Sequence, residues 1–226
     1  PDTEIFYDTG TEHNAKFGAG CHQNCDCGRF SEIWNDVFMQ YTKTFDGDCV
    51  EMTYKNVDTG MGLERVLAIL NSKQSIFETE SFLPIIRKIE ELSGKNYADM
   101  PETTRAMRVI ADHIRAAVFI LGDEHGVIPS NLGQGYILRR LLRRVIRFGY
   151  QLGIKNGFLA ELAASIITQY AEFYPELKNN EAKIFSELTA EEKKFSQTIA
   201  DGLKKIEVMA RKIHRLENIL TQRKIL

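Results

Sequence analysis

The run Asp58-Thr59-Gly60-Met61-Gly62-Leu63-Glu64-Arg65 joins two closely spaced glycines to a carboxylate on one side and an acid–guanidinium pair on the other. Without a Cβ, Gly60 and Gly62 let a flat ring or a phosphate approach the backbone, and Arg65 follows with a planar guanidinium that is charged at every physiological pH. Such a junction can cradle a nucleotide. Asp58, just ahead of the glycines, offers a carboxylate that an ammonium group can meet in a charge-assisted contact. The same run also suits a glycine turn capping a core helix, with Asp58 closing the turn, and eight residues alone do not choose between the two.

Two other sets of residues have chemistry in them. Arg139, Arg140, Arg143, Arg144 and Arg147 stand at offsets 0, 1, 4, 5 and 8, while Ile137, Leu138, Leu141, Leu142, Val145 and Ile146 fill the positions around them. That pattern makes a helix with one basic and one apolar face. The segment has no acid three or four residues from these arginines, as a merely solvated face would, so phosphate-backbone binding is expected. Cys21, Cys25 and Cys27 follow the spacing C-x3-C-x-C, with His13 and His22 nearby and Cys49 more distant. They suit a small structural Zn2+ site, with free buried thiols as the competing reading. Asp112, His113 and Arg115 sit among apolar neighbours and read as residues that hold helices together.

Net charge over the 226 residues is −2, but its distribution is uneven. Residues 1–100 hold 9 basic and 17 acidic side chains, whereas residues 101–153 hold 8 and 4, and all eight of those bases are arginine. Arginine's fork of donors matches phosphate oxygens and base edges, so this block is the candidate nucleic-acid face. No stretch approaches the length of a membrane span, and no secretory leader pattern opens the chain, so no membrane partner and a cytoplasmic location are expected.

The elements that must position these residues change character along the chain. Residues 4–8, 30–45 and 49–56 read as strands, with a turn at Asp46-Gly47-Asp48 returning the second into the third. Beyond Gly62, Leu63, Val66, Leu67 and Leu70 adopt helical spacing. Helices are then predicted over about 80–93, stopped by Gly94, over 103–121, over 136–148, stopped by Gly149, and over 157–174. The last, over 180–225, carries a possible restart where Thr189 and Glu192 form a capping box. Its apolar residues Phe195, Ile199, Leu203, Ile206, Met209, Ile213, Leu216 and Leu220 recur three and four apart, the mark of packing against another helix. The fold class expected is α+β: an antiparallel sheet followed by an all-helical domain.

Thr3-Glu4-Ile5-Phe6-Tyr7-Asp8, Glu32-Ile33-Trp34-Asn35, the glycine-arginine run, Ala111-Asp112-His113-Ile114-Arg115, Ile128-Pro129-Ser130-Asn131 and Gly135-Tyr136-Ile137-Leu138-Arg139-Arg140 occur here in that order. Together they closely resemble the alanyl-tRNA synthetases, a family of class II aminoacyl-tRNA synthetases, over residues 1 to about 153. The resemblance implies that 1–72 is the distal part of a class II catalytic domain and 73–226 a helical tRNA-recognition domain. It makes the glycine-arginine run the third signature motif. Gly60, Gly62, Glu64 and Arg65 would then bind ATP, with its Mg2+, and Asn35, Asp58 and Gly60 would bind alanine. Asp58 and Arg65 would be the catalytic pair, and Trp34 would be core rather than pocket wall. Asn131 would approach the third base pair of the tRNA(Ala) acceptor stem, beside the five arginines.

The family's first and second motifs are absent from this sequence, as is its editing-domain zinc pattern, so we read the chain as a piece of a longer protein that does not catalyse by itself. A non-catalytic helical tRNA-binding module and a zinc-organised interaction domain are the alternatives.

Overall fold

The structure, a computed structural model, describes residues 1–223, with side chains as far as Lys212. It divides into two compact units, Pro1–Ser81 and Phe82–Leu226. The fold is α+β, as the pattern of elements predicts.

The first unit holds a three-stranded antiparallel sheet, β1 (Asp2–Asp8), β2 (Phe30–Lys43) and β3 (Cys49–Met61), in the order β1-β2-β3. β3 runs five residues past the predicted end, because Val57, Asp58, Thr59, Gly60 and Met61 all find partners on β2. The glycine-arginine run therefore begins as strand. Gly62 ends it: its N–H donates to Ile33 O at 2.9 Å, and it caps α1 (Leu63–Leu70) from an extended conformation. A bulge on β2 leaves Ile33 unpaired where Ile5 and Phe6 face Trp34 and Glu32. Between β1 and β2, residues 9–29 contain only the short 3-10 turn Ala15–Phe17.

The second unit contains α2 (Leu83–Ser93), α3 (Pro101–Gly122), α4 (Gly133–Leu152), α5 (Phe158–Tyr170), α6 (Pro175–Asn179) and α7 (Glu181–Arg223). Prolines open α2, α3 and α6 within their first turns, where no N–H is needed, and Gly94 stops α2 in the left-handed conformation as predicted. Its core is Ile85, Ile86 and Ile89 of α2, Met107, Ile110, Ile114 and Leu121 of α3, Leu138 and Leu142 of α4, and Leu159 and Leu162 of α5, all essentially solvent-free. Among the described residues no helix is long and apolar enough to cross a membrane.

Three helices depart most from the pattern. α4 starts three residues earlier than predicted and does not stop at Gly149. The Phe158 ring occupies the space a Cβ there would need, so Gly149 is a packing glycine, and the helix ends at left-handed Gly153. α5 stops at Tyr170, and Pro175 opens the short α6. Finally, α7 passes unbroken through Thr189 and Glu192. The Glu192 carboxylate instead accepts from Gly157 N at 2.7 Å and Leu159 N at 3.3 Å, capping α5. The predicted box fails because a buried carboxylate has a better use for its oxygens at another helix's bare N-terminus.

The apolar stripe of α7 is packed only at its start. Ile184 and Leu188 are buried and Phe195 and Ile199 half-buried, but Leu203, Ile206 and Met209 are exposed. Ile213, Leu216 and Leu220 lie outside the residues whose side chains are described.

Candidate active-site face, arginine helix and cysteine cluster

Strand register decides which side chains share a face. Val37 faces Asp58 and Asn35 faces Gly60, so these four project to one side; Glu4, paired with Asn35, and Glu32, paired with Phe6 past the bulge, join them. Asn35 Nδ2 donates to Glu4 Oε1 at 3.2 Å, in keeping with that arrangement. Thr59 and Asp36 point to the other side, where Trp34 Nε1 donates to Thr59 Oγ1 at 2.5 Å and Thr59 donates on to Asp36 at 2.6 Å. Trp34 thus lies across the sheet from Asp58 and is 36% exposed, so it is neither pocket wall nor core.

Arg65, on the first turn of α1, donates through Nη1 to Glu32 O at 2.6 Å, with the Glu32 carboxylate 3.9 Å away. The helix start thereby brings a guanidinium to the strand that carries Asn35. Asp58 forms no ion pair among the described residues, and a Cβ built at Gly60 would meet nothing within 4 Å, so the face over these residues is open. Glu64 and Gly62 are half-buried at the α1 start. Together Asn35, Gly60 and Asp58 offer an amide, a bare stretch of backbone and a carboxylate in one patch, with the Glu32 main-chain carbonyl as the acceptor that fixes Arg65. Glu32 is a residue the motif did not single out, because it stands 33 residues before Arg65 in the chain and meets it only in the fold.

On α4 the five arginines separate into two rows. Arg139 and Arg143 turn towards α7, where both meet Glu191: Arg143 Nε donates to Oε1 at 2.8 Å and Arg139 Nε lies 3.4 Å from Oε2. Arg139 also donates to Asn131 Oδ1 and, at 3.2 Å, to Pro129 O, while the Arg143 guanidinium stands 5.0 Å from the centre of the Phe195 ring. Arg140, Arg144 and Arg147 are exposed at offsets 0, 4 and 7, a single stripe. The absence of acids within the helix was real, but it concealed an acid 48 residues away. Glu191 is buried, and no local pattern could have flagged it.

Asp112 and His113 pair with each other on α3 at 2.8 Å, and that bond, with Arg115 and Arg144 in support, holds the Asp112 carboxyl below its usual range. The residue that does join elements is Arg115, whose guanidinium lies 3.9 Å from the centre of the Phe82 ring and 3.4 Å from the Tyr170 hydroxyl.

In the 9–29 segment, His13, Cys21, Cys25 and Cys27 converge with their ligand atoms all within 4.8 Å of one another. Cys21 Sγ lies 3.6 Å from Cys27 Sγ, and Cys25 Sγ lies 3.6 Å from His13 Nδ1. These are free thiols, too far apart for an S–S bond. The neighbouring His13 imidazole brings the Cys27 thiol down to about 6, whereas desolvation and the contact with Cys27 push Cys21 up to about 11. His22 and Cys49 stand outside the group and are exposed. The three predicted cysteines are therefore brought together, and the histidine that joins them is His13.

Residues 1–226 match the family described as tRNA synthetases class II (A), and the chain belongs to that family. It is 52% identical over 202 residues to an alanine–tRNA ligase of Borreliella afzelii, covering 89% of this chain and 34% of that protein. It is also 50% identical over 186 residues to the alanine–tRNA ligase of Treponema denticola (82% of this chain, 30% of that one), and 48% over 207 residues to that of Desulfosudis oleivorans (90% and 23%). The chain spans about a third or less of the length of these relatives.

Proposed function

We propose that this chain is the distal catalytic and tRNA-recognition portion of an alanine–tRNA ligase acting in the cytoplasm, with 1–72 contributing to the ATP and alanine pocket and 73–226 to binding of the tRNA(Ala) acceptor stem. The observation that carries the catalytic part is the shared sheet face of Asn35, Asp58 and Gly60, with Arg65 fastened beside it through Glu32. In the reaction the alanine carboxylate attacks the α-phosphate of ATP and pyrophosphate leaves, after which the 3′ hydroxyl of the tRNA takes the alanyl group and AMP is released. Asp58 holds the alanine ammonium, Asn35 positions the amino acid through its free Oδ1, and backbone at Gly60 and Gly62 lets the nucleotide lie close. Arg65 neutralises charge on the triphosphate, which ATP brings with its Mg2+, and Glu64 orients that end of the site. The residues that complete the grip on the α-phosphate lie elsewhere in the full-length protein.

Acceptor-stem binding rests on α4. Arg140, Arg144 and Arg147 supply the phosphate-facing stripe, while Arg139 and Arg143 are engaged by Glu191 and Arg139 fixes the loop that carries Asn131. With its Oδ1 engaged by Arg139, Asn131 has its amide N–H groups to present to the minor groove.

Alanine-dependent ATP–pyrophosphate exchange by the full-length protein tests the catalytic part. The Asp58→Asn and Arg65→Ala variants should each lose it by at least about a hundredfold, a loss of about 2.7 kcal/mol or more in transition-state stabilisation. A full-length protein that binds tRNA but never exchanges would support the non-catalytic module instead. Replacing Arg140, Arg144 and Arg147 with Gln should weaken tRNA binding and flatten its salt dependence by about one unit of slope per lost phosphate contact; unchanged binding removes α4 from the interface.

A further inference from the structure

We infer that His13, Cys21, Cys25 and Cys27 form a closed four-ligand Zn2+ site that folds the 9–29 segment, independently of the aminoacylation reading above. A tetrahedral zinc with Zn–S near ~2.3 Å and Zn–N near ~2.0–2.1 Å has ligand atoms ~3.8 Å apart for sulfur pairs and ~3.5 Å for sulfur–nitrogen pairs. The two separations at 3.6 Å match those edges, and all four ligand atoms lie within 4.8 Å of one another. The shell is set as well. His13 Nε2 lies 3.0 Å from Gly18 O, a carbonyl that can only accept, so Nε2 carries the proton and Nδ1, the atom facing Cys25, is left with its lone pair. Three thiolates and one imidazole fill four positions and leave none for water, so the site is structural rather than catalytic. Soft thiolates in this number select zinc over magnesium or calcium.

The need for a metal follows from the segment itself. It spans 21 residues between β1 and β2 with a single three-residue 3-10 turn, and Cys25 is the only side chain buried in residues 1–67. A loop of that length has no apolar core to hold it, and the entropy of closing it must be met by a cross-link. The metal would lock the segment over the base of β1, where the Arg29 guanidinium meets the Asp8 carboxylate at 2.9 Å and Thr9 N donates to Arg29 O.

Zinc per chain, measured by mass spectrometry on the full-length protein, should fall by one equivalent in the Cys21→Ser/Cys27→Ser double variant and in His13→Ala. It should be retained in His22→Ala, and in His13→Cys, which restores a fourth soft ligand. Cobalt loading should give the strong visible absorption of a tetrahedral thiolate centre in wild type, absent from the double variant. Should the variants fail to fold, alkylation of zinc-replete wild type still decides: Cys21, Cys25 and Cys27 should react about tenfold or more slowly than after chelation, because bound thiolates are shielded. Unchanged zinc content in the double variant, equal loss in His22→Ala, or alkylation indifferent to chelation would each overturn the assignment.

Discussion

In the helical unit Ile85, Ile110, Ile114, Leu142 and Leu159 are completely enclosed, whereas on the sheet Val37, Phe38, Val57 and Tyr41 stand between 41% and 57% exposed. The residues are no less apolar. What differs is the number of surfaces available to cover them: α2, α3, α4, α5 and α7 present apolar stripes to one another, while three strands and the two-turn α1 cannot form a second layer on either face of the sheet. The sheet unit is held by its hydrogen-bonded ladders, and the same openness leaves Asp58, Gly60 and Arg65 accessible. The helical unit is the reverse, with an enclosed core and its charges divided between an internal cluster at Glu191 and an exposed stripe.

That contrast can be broken most forcefully at Glu191. Glu191→Ala leaves Arg139, itself 9% exposed, without its buried counter-charge, and should cost about 3–5 kcal/mol in chemical denaturation of the helical unit. Leu142→Ala opens a cavity between α3 and α4 and should cost about 2–5 kcal/mol by the same measurement. Gly149→Ala drives a methyl into the Phe158 ring and should cost about 1–3 kcal/mol, with Phe158→Leu in the same chain recovering part of the loss.

A smaller effect is expected at Glu192. Burial, partly offset by the N–H groups of Gly157, Leu159 and Phe158, raises its carboxyl above the usual glutamate value of 4.5. A carboxyl whose folded value is raised favours the fold when protonated, and that contribution is lost as pH climbs through the raised value. Wild type should therefore lose stability relative to Glu192→Gln as pH rises from 4 towards 7, read from urea midpoints, and the gap should close again below the unfolded value. Least of all, Val57→Thr on β3 should change stability by no more than about 0.5 kcal/mol, since that side chain is 53% exposed and gives up little buried surface. A loss as large as that at Leu142 would mean that the sheet is covered by a second layer after all.

Much of this was open to reading along the chain. Periodicity located six helices and three strands, since a spacing of two or of three and four residues is a local property of the backbone. The glycine-arginine run was visible as a strand-to-helix junction, although β3 carries Asp58 and Gly60 inside a ladder that only pairing with β2 creates. Gly149 and the Thr189–Glu192 pair misled for one reason. A glycine or a capping residue is a local signal, and in both places a distant partner, Phe158 or the N-terminus of α5, had the stronger claim on it.

Residue types and their spacing were sufficient for the α+β order, for the arginine-rich face of α4, for the cysteines that converge near His13 and for membership in the class II tRNA synthetases. Only tertiary packing turned Arg139 and Arg143 inward to Glu191 while leaving Arg140, Arg144 and Arg147 outside, put Asn35, Asp58 and Gly60 on the side opposite Trp34, and chose His13 over His22. Local spacing acts over a turn or two of chain, whereas these choices depend on groups up to 48 residues apart meeting where charge or desolvation has to be compensated.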